Sequence, residues 1–155
     1  MTDITLKTGF ALNTNIRAKI TGLEESMNSG ITDGSLQEQD VPLEHFHSDG
    51  CYARLIFLKK NTALVGAIHI DEWMHIVSTG KIRIVTEEGS RIIDATERPQ
   101  VFTSPAGVKR AGFVLEDTWW MSFRASDATD DESARKKHIV SDYNELDKLE
   151  VVNGT

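Results

Sequence analysis

The residues best suited to chemistry lie in two short segments, IHIDEWMHIVS (residues 68–78) and PAGVKR (residues 105–110). His69 and His75 carry imidazole nitrogens, Arg110 a guanidinium and Trp73 a broad aromatic face. On a strand, side chains alternate between faces. If Trp73 faces inward, His75 and Val77 do too, and Glu72 faces outward. His69 and His75 then approach one another inside the fold. Two imidazoles alone make a weak metal site, so no cofactor is expected; if a metal is held, His69 and His75 are the ligands to try. Arginine beside histidine suits a carboxylate or phosphate. A tryptophan face, from Trp73 and from Trp119 or Trp120, suits a flat ring. The candidate ligand-binding set is therefore His69, Trp73, His75 and Arg110. The expected ligand is a small anionic or nucleotide-like molecule.

A purely structural use of the same residues competes with this. Histidine in a small barrel can be a hydrogen-bonded core residue. Arg110 can pair with Glu116 or Asp117. Trp119 and Trp120 are adjacent and must point to opposite faces, one filling the core. On balance a filled interior is expected slightly ahead of an open pocket. His45 and His47 form a second HxH pair that completes a site only if its arm folds over the mouth. Other motifs fail. Ser133 and Lys136 have nucleophile-pair spacing but sit in a charged, polar segment. DATDDESARKKH is acidic but lacks the glycine and terminal glutamate of a calcium loop. No HExxH or GxSxG occurs. Cys51, the single cysteine, reads as a small apolar filler. No catalytic residue is expected.

These side chains need strands to hold them. From residue 52 short apolar runs follow one another: YARLIFL, ALVGAIHI, WMHIVS, KIRIVT, RIID, QVFTS, AGFVL and TWWMSFR. Each is strand-length, and the breaks carry Gly, Asn, Ser or Pro turn chemistry. The pattern predicts an all-β sandwich or barrel over 52–125. Residues 1–51 read as a polar N-terminal arm. Within it Ile16, Ile20, Leu23 and Met27 have helical spacing that Gly22 weakens, and SGITDGS (29–35) reads as a loop. Residues 126–155 read as an acidic tail. SDYNELDKLE there predicts a short helix, with Asp142 and Glu145 at capping-box spacing and Tyr143, Leu146 and Leu149 on one face.

Composition narrows the partners. The chain has 155 residues, 39% of them hydrophobic, and a formal net charge of -7. Its one basic run, Arg135–Lys137, follows Asp130, Asp131 and Glu132 and reads as self-compensating. Binding to a nucleic-acid polymer or an anionic membrane is not expected. No apolar run approaches the ~20 residues of a membrane span. MTDITLKTGF lacks the apolar core of a signal peptide. A single cysteine permits no intrachain disulfide, in keeping with a reducing compartment. The expectation is a soluble protein of a host cytoplasm.

GAIHIDEWMHIVSTGKIRI (66–84) resembles the first cupin motif, and PAGVKR (105–110) with the strand after it resembles the second. The resemblance covers roughly half the chain. It implies a single cupin or jelly-roll antiparallel β-barrel with an N-terminal arm and a short C-terminal helix. Within cupins the chain is similar to small bacteriophage- and prophage-encoded proteins, through YARLIFLKKNTALVGAIH, IVTEEGSRII, SPAGVKRAGFVLEDTWW and SDYNELDKLE. The resemblance also implies a ligand register, aligned on Gly80. His69 falls on the second metal-ligating His, Ala67 on the first, Trp73 on the Glu and Arg110 on the His of the second motif. One ligand of four survives, and arginine offers only donors.

Three functions follow as expectations. The first is a non-enzymatic, phage-type accessory or structural protein, virion-associated or not, acting through protein contacts and forming a homo-oligomer. Other phage or host proteins are its further partners. The second is a small-molecule binder that captures an anionic metabolite or nucleotide. The third, and least favoured, is a metal-dependent cupin enzyme.

Overall fold

A computed structural model describes residues 14–139. Two long strands organise it: β4 (Trp73–Thr86) and β7 (Arg110–Ala125). They pair antiparallel along most of their length, and the shorter strands attach to their flanks. The first part of β4 is flanked by β6 (Gln100–Ser104), and the second by β5 (Gly89–Asp94). The second part of β7 pairs with β2 (Cys51–Leu58), and the first with β3 (Ala63–Gly66). β1 (Leu43–Ser48) closes a hairpin onto β2. The sheet has seven strands, and its path β1-β2-β7-β4-β5, with β3 and β6 attached beside it, does not close on itself. The expected closed barrel is thus corrected to an open, folded antiparallel sheet with β1 and β5 at the ends of its path. It also starts at Leu43, earlier than the arm boundary read from composition.

The fold in this sheet lies at Gly80. The β4–β7 register slips at Thr79, Lys81 and Ile82, so the ladder carries an irregularity where the two flanking sets of strands change over. Gly80 has φ 98°, and a Cβ there would run into the Asp117 carbonyl and Thr118. Thr118, fully buried, holds the same point by donating to the Glu116 carbonyl (2.7 Å) and accepting from the Lys81 amide (3.1 Å). The main core packs behind the bend: Leu58, Val77, Ile82, Ile84, Ile93, Val114 and Trp120.

Residues 14–33, where a short element and a loop were expected, form one 20-residue helix, α1 (Thr14–Asp33). Gly22 does not interrupt it. Gly30 is tolerated because Leu36 packs where its side chain would be. Gly34, at φ 81°, ends the helix, and the Leu36 amide returns to the Gly30 carbonyl (2.9 Å). The predicted helix at SDYNELDKLE lies outside the described residues. A different C-terminal helix, α2 (Asp131–His138), forms from the charged run. Asp130 caps it by accepting from the Ser133 amide. Asp131 and Glu132 occupy its first turn and Arg135–His138 its last, the order the helix dipole favours. No helix among the described residues is long and apolar enough to cross a membrane.

Gly80→Ala should destabilise the protein by about 2–4 kcal/mol through the left-handed backbone and the backbone clash together. Urea unfolding checks this. A change within about 0.5 kcal/mol would mean that the bend is not held where the geometry puts it.

Candidate functional site

Alternation along β2, β4 and β7 decides what faces inward. Tyr52, Arg54, Ile56 and Leu58 do so from β2; Arg110, Gly112 and Val114, then Trp120 and Ser122, from β7. Register joins them into rows. His45 pairs with Arg54, Arg54 with Ser122, Ser122 with His75 and His75 with Phe102. A polar row therefore crosses four strands and ends on Phe102 of a fifth, beside the apolar row Ile56, Trp120 and Val77.

Within these rows His45, Arg54, Ser122, Ile56 and Trp120 line a cavity of about 960 Å³. The expectation of a filled interior is corrected: on the β3 side the cavity wall is built from Gly66 and Ala67, which bring little or no side chain to it. Arg54, Arg110, His69, Tyr52 and Ser122 supply its polar wall; Ile56, Leu58, Leu64, Ile82 and Ile84 supply an apolar wall; Glu24 and Glu25 of α1 reach it from above. The volume is that of a small-molecule site.

Arg54 and Arg110 decide its electrostatics. Neither forms an ion pair among the described residues, and the Nε of each is buried without a hydrogen-bond acceptor. The expected partners of Arg110 are engaged elsewhere: Asp117 accepts from the Lys60 amide and Glu116 lies 3.7 Å from the Lys60 ammonium. Arg110 instead lies over the Trp120 ring, 5.3 Å from its centroid. Burial, then the nearby Arg91, pushes the Arg110 guanidinium down to about 10, with Glu87 opposing. It remains a cation at neutral pH. Burial likewise lowers Arg54.

His75 does not line the cavity. It is fully buried and held from three sides. The Trp120 indole N–H donates to its Nδ1 (3.1 Å), and an indole has no other role. Nδ1 is thus unprotonated, Nε2 carries the proton, and Nε2–H donates to Ser104 Oγ (2.8 Å). Ser122 Oγ also lies 2.9 Å from Nδ1. Burial first, then Arg110 and His69, drives the imidazole down to about 2, so it stays neutral. His69 does line the cavity, its ring tilted by 35° against Trp73 at 4.5 Å and stacked 6.2 Å from the His75 ring. Burial, then Arg110 and Arg54, drives it down to about 3.

Of the four sequence candidates, His69 and Arg110 meet at the cavity. Trp73 and His75 form the packing behind it, with Trp73 buried against Tyr52. The sequence reading missed Arg54, Tyr52 and Ser122. Alternation puts Arg54 on one face with Tyr52, Ile56 and Leu58, but Ala53, Leu55 and Phe57 make the other face apolar too, so no pattern marks which face is inward. His45 does reach the cavity, where its Nδ1 shares a hydrogen bond with the Tyr52 hydroxyl (2.7 Å), while His47 turns to Asp131 (2.7 Å). A metal does not fit this wall. His75 has no free lone pair, two guanidiniums occupy the cavity, and the described residues bring together no group of three His, Cys, Asp or Glu able to hold an ion.

Both helices border the cavity, α1 through Glu24, Glu25 and Asn28 and α2 through Arg135. Lys109 is fully buried and its ammonium meets Glu24 of α1 (2.7 Å). Glu87 accepts from the Lys109 amide (3.0 Å) and from Arg17 of α1 (2.9 Å). Arg17 also donates to the Gly107 carbonyl. These bonds clamp α1 across the PAGVKR loop. At the other end His138 of α2 bridges Asp71 (2.8 Å, through Nδ1) and Ser126 Oγ (2.8 Å, through Nε2). The Ser126 oxygen also accepts the Ala128 amide (3.1 Å), and the Ile70 amide donates to the His138 carbonyl (2.9 Å). This string ties α2 and Ile139, which bridges to His69, to the sheet.

Neutral burial of His69 and His75 has a consequence in pH. Both have folded values far below 6.5, so the unfolded chain takes up their protons first. Stability should be fully present above about pH 6.5 and fall as pH drops below it, by up to about 1.4 kcal/mol per pH unit for each imidazole. Urea unfolding at about pH 7, 6 and 5 checks this. The window precedes carboxylate titration. A flat profile would contradict the assignment of neutral, buried imidazoles.

No family model matches the chain, and no curated protein matches it. Solved structures do. A cupin superfamily protein from Desulfitobacterium hafniense is similar at 14% identity, over 59% of this chain and 83% of that one, with TM-score 0.47. A cupin-2 domain protein from Shewanella frigidimarina is similar at 14% identity, over 61% and 90%, with TM-score 0.46. KdgF from a Halomonas species is similar at 13% identity, over 61% and 92%, with TM-score 0.48.

Proposed function

We propose that this chain is a non-enzymatic binding protein whose cavity captures a small organic anion. One observation carries the reading: two largely buried guanidiniums, Arg54 and Arg110, line the same cavity and neither has an acidic partner among the described residues. A buried cation without a counter-charge is costly to a fold. An anionic ligand supplies that counter-charge. Arginine favours carboxylate or phosphate because its planar fork binds two oxygens at once. His69, neutral and facing the cavity, adds a further polar contact. The apolar wall at Ile56, Leu58, Leu64, Ile82 and Ile84 gives the rest of the ligand a dry surface, so an anion with an apolar or aromatic body fits better than inorganic phosphate.

The phage-type accessory role, acting through surfaces, is a second reading. Exposed apolar side chains on the outside of the sheet, Phe46, Met74, Val101 and Trp119, favour its protein-contact part. The two readings concern different faces and are compatible.

A thermal-shift and calorimetry screen of aliphatic and aromatic carboxylates and nucleoside monophosphates tests the proposal. Members of the carboxylate series should raise the melting temperature. Arg54→Met and Arg110→Met should each weaken the best of them at least tenfold. Each should also leave the ligand-free protein as stable or more stable, by up to about 1–2 kcal/mol, because an unpaired charge is removed. If no anion stabilises the protein, or if both variants bind unchanged, the proposal fails.

A further inference from the structure

We infer that a second, smaller cavity, which shares Arg110 with the large one, is a binding site for a small oxyanion of the phosphate type. It measures about 230 Å³ and lies between the β4–β5 hairpin and residues 103–110. Its polar wall includes Arg91, Arg110, Ser104, Thr86, Ser90 and Glu88. Of this lining, Arg110 and Ile84 alone also border the large cavity.

A chain of hydrogen bonds through the core ends at this space. The Trp120 indole donates to His75 Nδ1 (3.1 Å), and His75 Nε2–H donates to Ser104 Oγ (2.8 Å). A serine hydroxyl still has one hydrogen of its own to give. Ser104 is only 6% exposed, and that hydrogen has no acceptor among the described residues. A buried donor left without an acceptor is costly. Ser104 lines the small cavity, so an acceptor held there completes the chain. Thr86 is similar. Its oxygen accepts the Glu88 amide (3.1 Å), which leaves its hydrogen to donate.

Two cations meet at the same place. Arg91 is held over the Phe102 ring, 4.6 Å from the centroid, and its charge, after burial, lowers the Arg110 guanidinium. Neither arginine forms an ion pair among the described residues, and Arg110 Nε is buried without an acceptor. Like charges brought together disfavour each other unless an anion lies between them. Glu87, which opposes the effect of Arg91, is engaged by Arg17 and the Lys109 amide. Glu88 lines the cavity without pairing to either arginine, so the wall carries two positive charges against one negative.

Size and donor geometry select the ligand. The volume lies below the roughly 300 Å³ at which sites for organic ligands begin. The lining brings two guanidiniums and four hydroxyls from four strands to one small space. A tetrahedral dianion offers acceptors in all directions and a charge for each guanidinium, whereas a carboxylate offers one planar edge. Arg110 has five N–H donors, enough to serve this site and the large cavity together.

Calorimetric titration of the full chain with sodium phosphate, at an ionic strength fixed with sodium chloride, tests this. Phosphate and sulfate should bind saturably, with a dissociation constant of about 1 mM or below, and planar nitrate should not. Arg91→Met should weaken phosphate by about tenfold or more. Glu88→Gln, which removes a repelling charge, should tighten it by about threefold. Both side chains are exposed, so the fold is not at stake, and circular dichroism confirms it. Arg54→Met, confined to the large cavity, should leave phosphate binding unchanged, and carboxylate binding in the large cavity should survive Arg91→Met. Loss of one binding activity thus leaves the other intact. No phosphate binding above the chloride background at about 10 mM, binding indifferent to both Arg91→Met and Glu88→Gln, or binding only of organic phosphates that Arg54→Met also weakens would each overturn the inference.

Discussion

The antiparallel ladder between β4 and β7 is the constraint on which everything else rests. Every short strand except β1, which pairs with β2, is attached to one of these two, and the sheet folds over because their register slips around Gly80. That fold brings β3 and the first part of β7 to face β2 and the second part of β7. The cavity is the space between them. Ladder hydrogen bonds set the backbone; the period of two then sorts side chains into an inner set and an outer set. Both sets are chemically distinctive, which is why one sheet supports two functional proposals.

Within the inner set, the imidazoles and guanidiniums divide the work by their hydrogen bonds. His75 has every ring nitrogen engaged, by Trp120, Ser122 and Ser104, and so fixes three strands relative to one another. Arg54 and Arg110 have no acidic partners and carry the positive charge of the cavity. The ion-pair chain Glu24, Lys109, Glu87 and Arg17 holds α1 over the space. Acidic residues are abundant in this chain, yet those near the cavity are spent on Lys109 and Arg17 or stand on the helix above. The interior stays cationic in a protein that is acidic as a whole.

The strands were legible because their apolar runs are short and bounded by turn residues. The burial of Trp73, His75 and Val77 on one face, and the opposite facing of Trp119 and Trp120, follow directly from alternation. Arg54 was not legible for a physical reason. In YARLIFL both faces of the strand are apolar, so hydropathy cannot tell the inner from the outer. α1 was obscured by Gly22 and Gly30, whose low helix propensity is offset by Ile20 burial and by ion pairs distant in sequence. α2 was hidden because a charged run reads as solvated, although its acidic-to-basic order is what a helix dipole favours. The openness of the interior lay beyond any sequence pattern, since it depends on how residues of β2, β3 and β7, distant in sequence, come to face one space.

The account stands or falls on the unpaired guanidiniums. The most direct measurement is arginine Nε–Hε NMR of the full chain, with resonances assigned by single Arg→Lys variants, during titration with a carboxylate that raises the melting temperature. The account predicts that the Arg54 and Arg110 signals shift together and saturably, while those of Arg17 and Arg124, already bound to Glu87 and Asp71, stay in place. Shifts spread evenly over all arginines, or absent from Arg54 and Arg110, would contradict it.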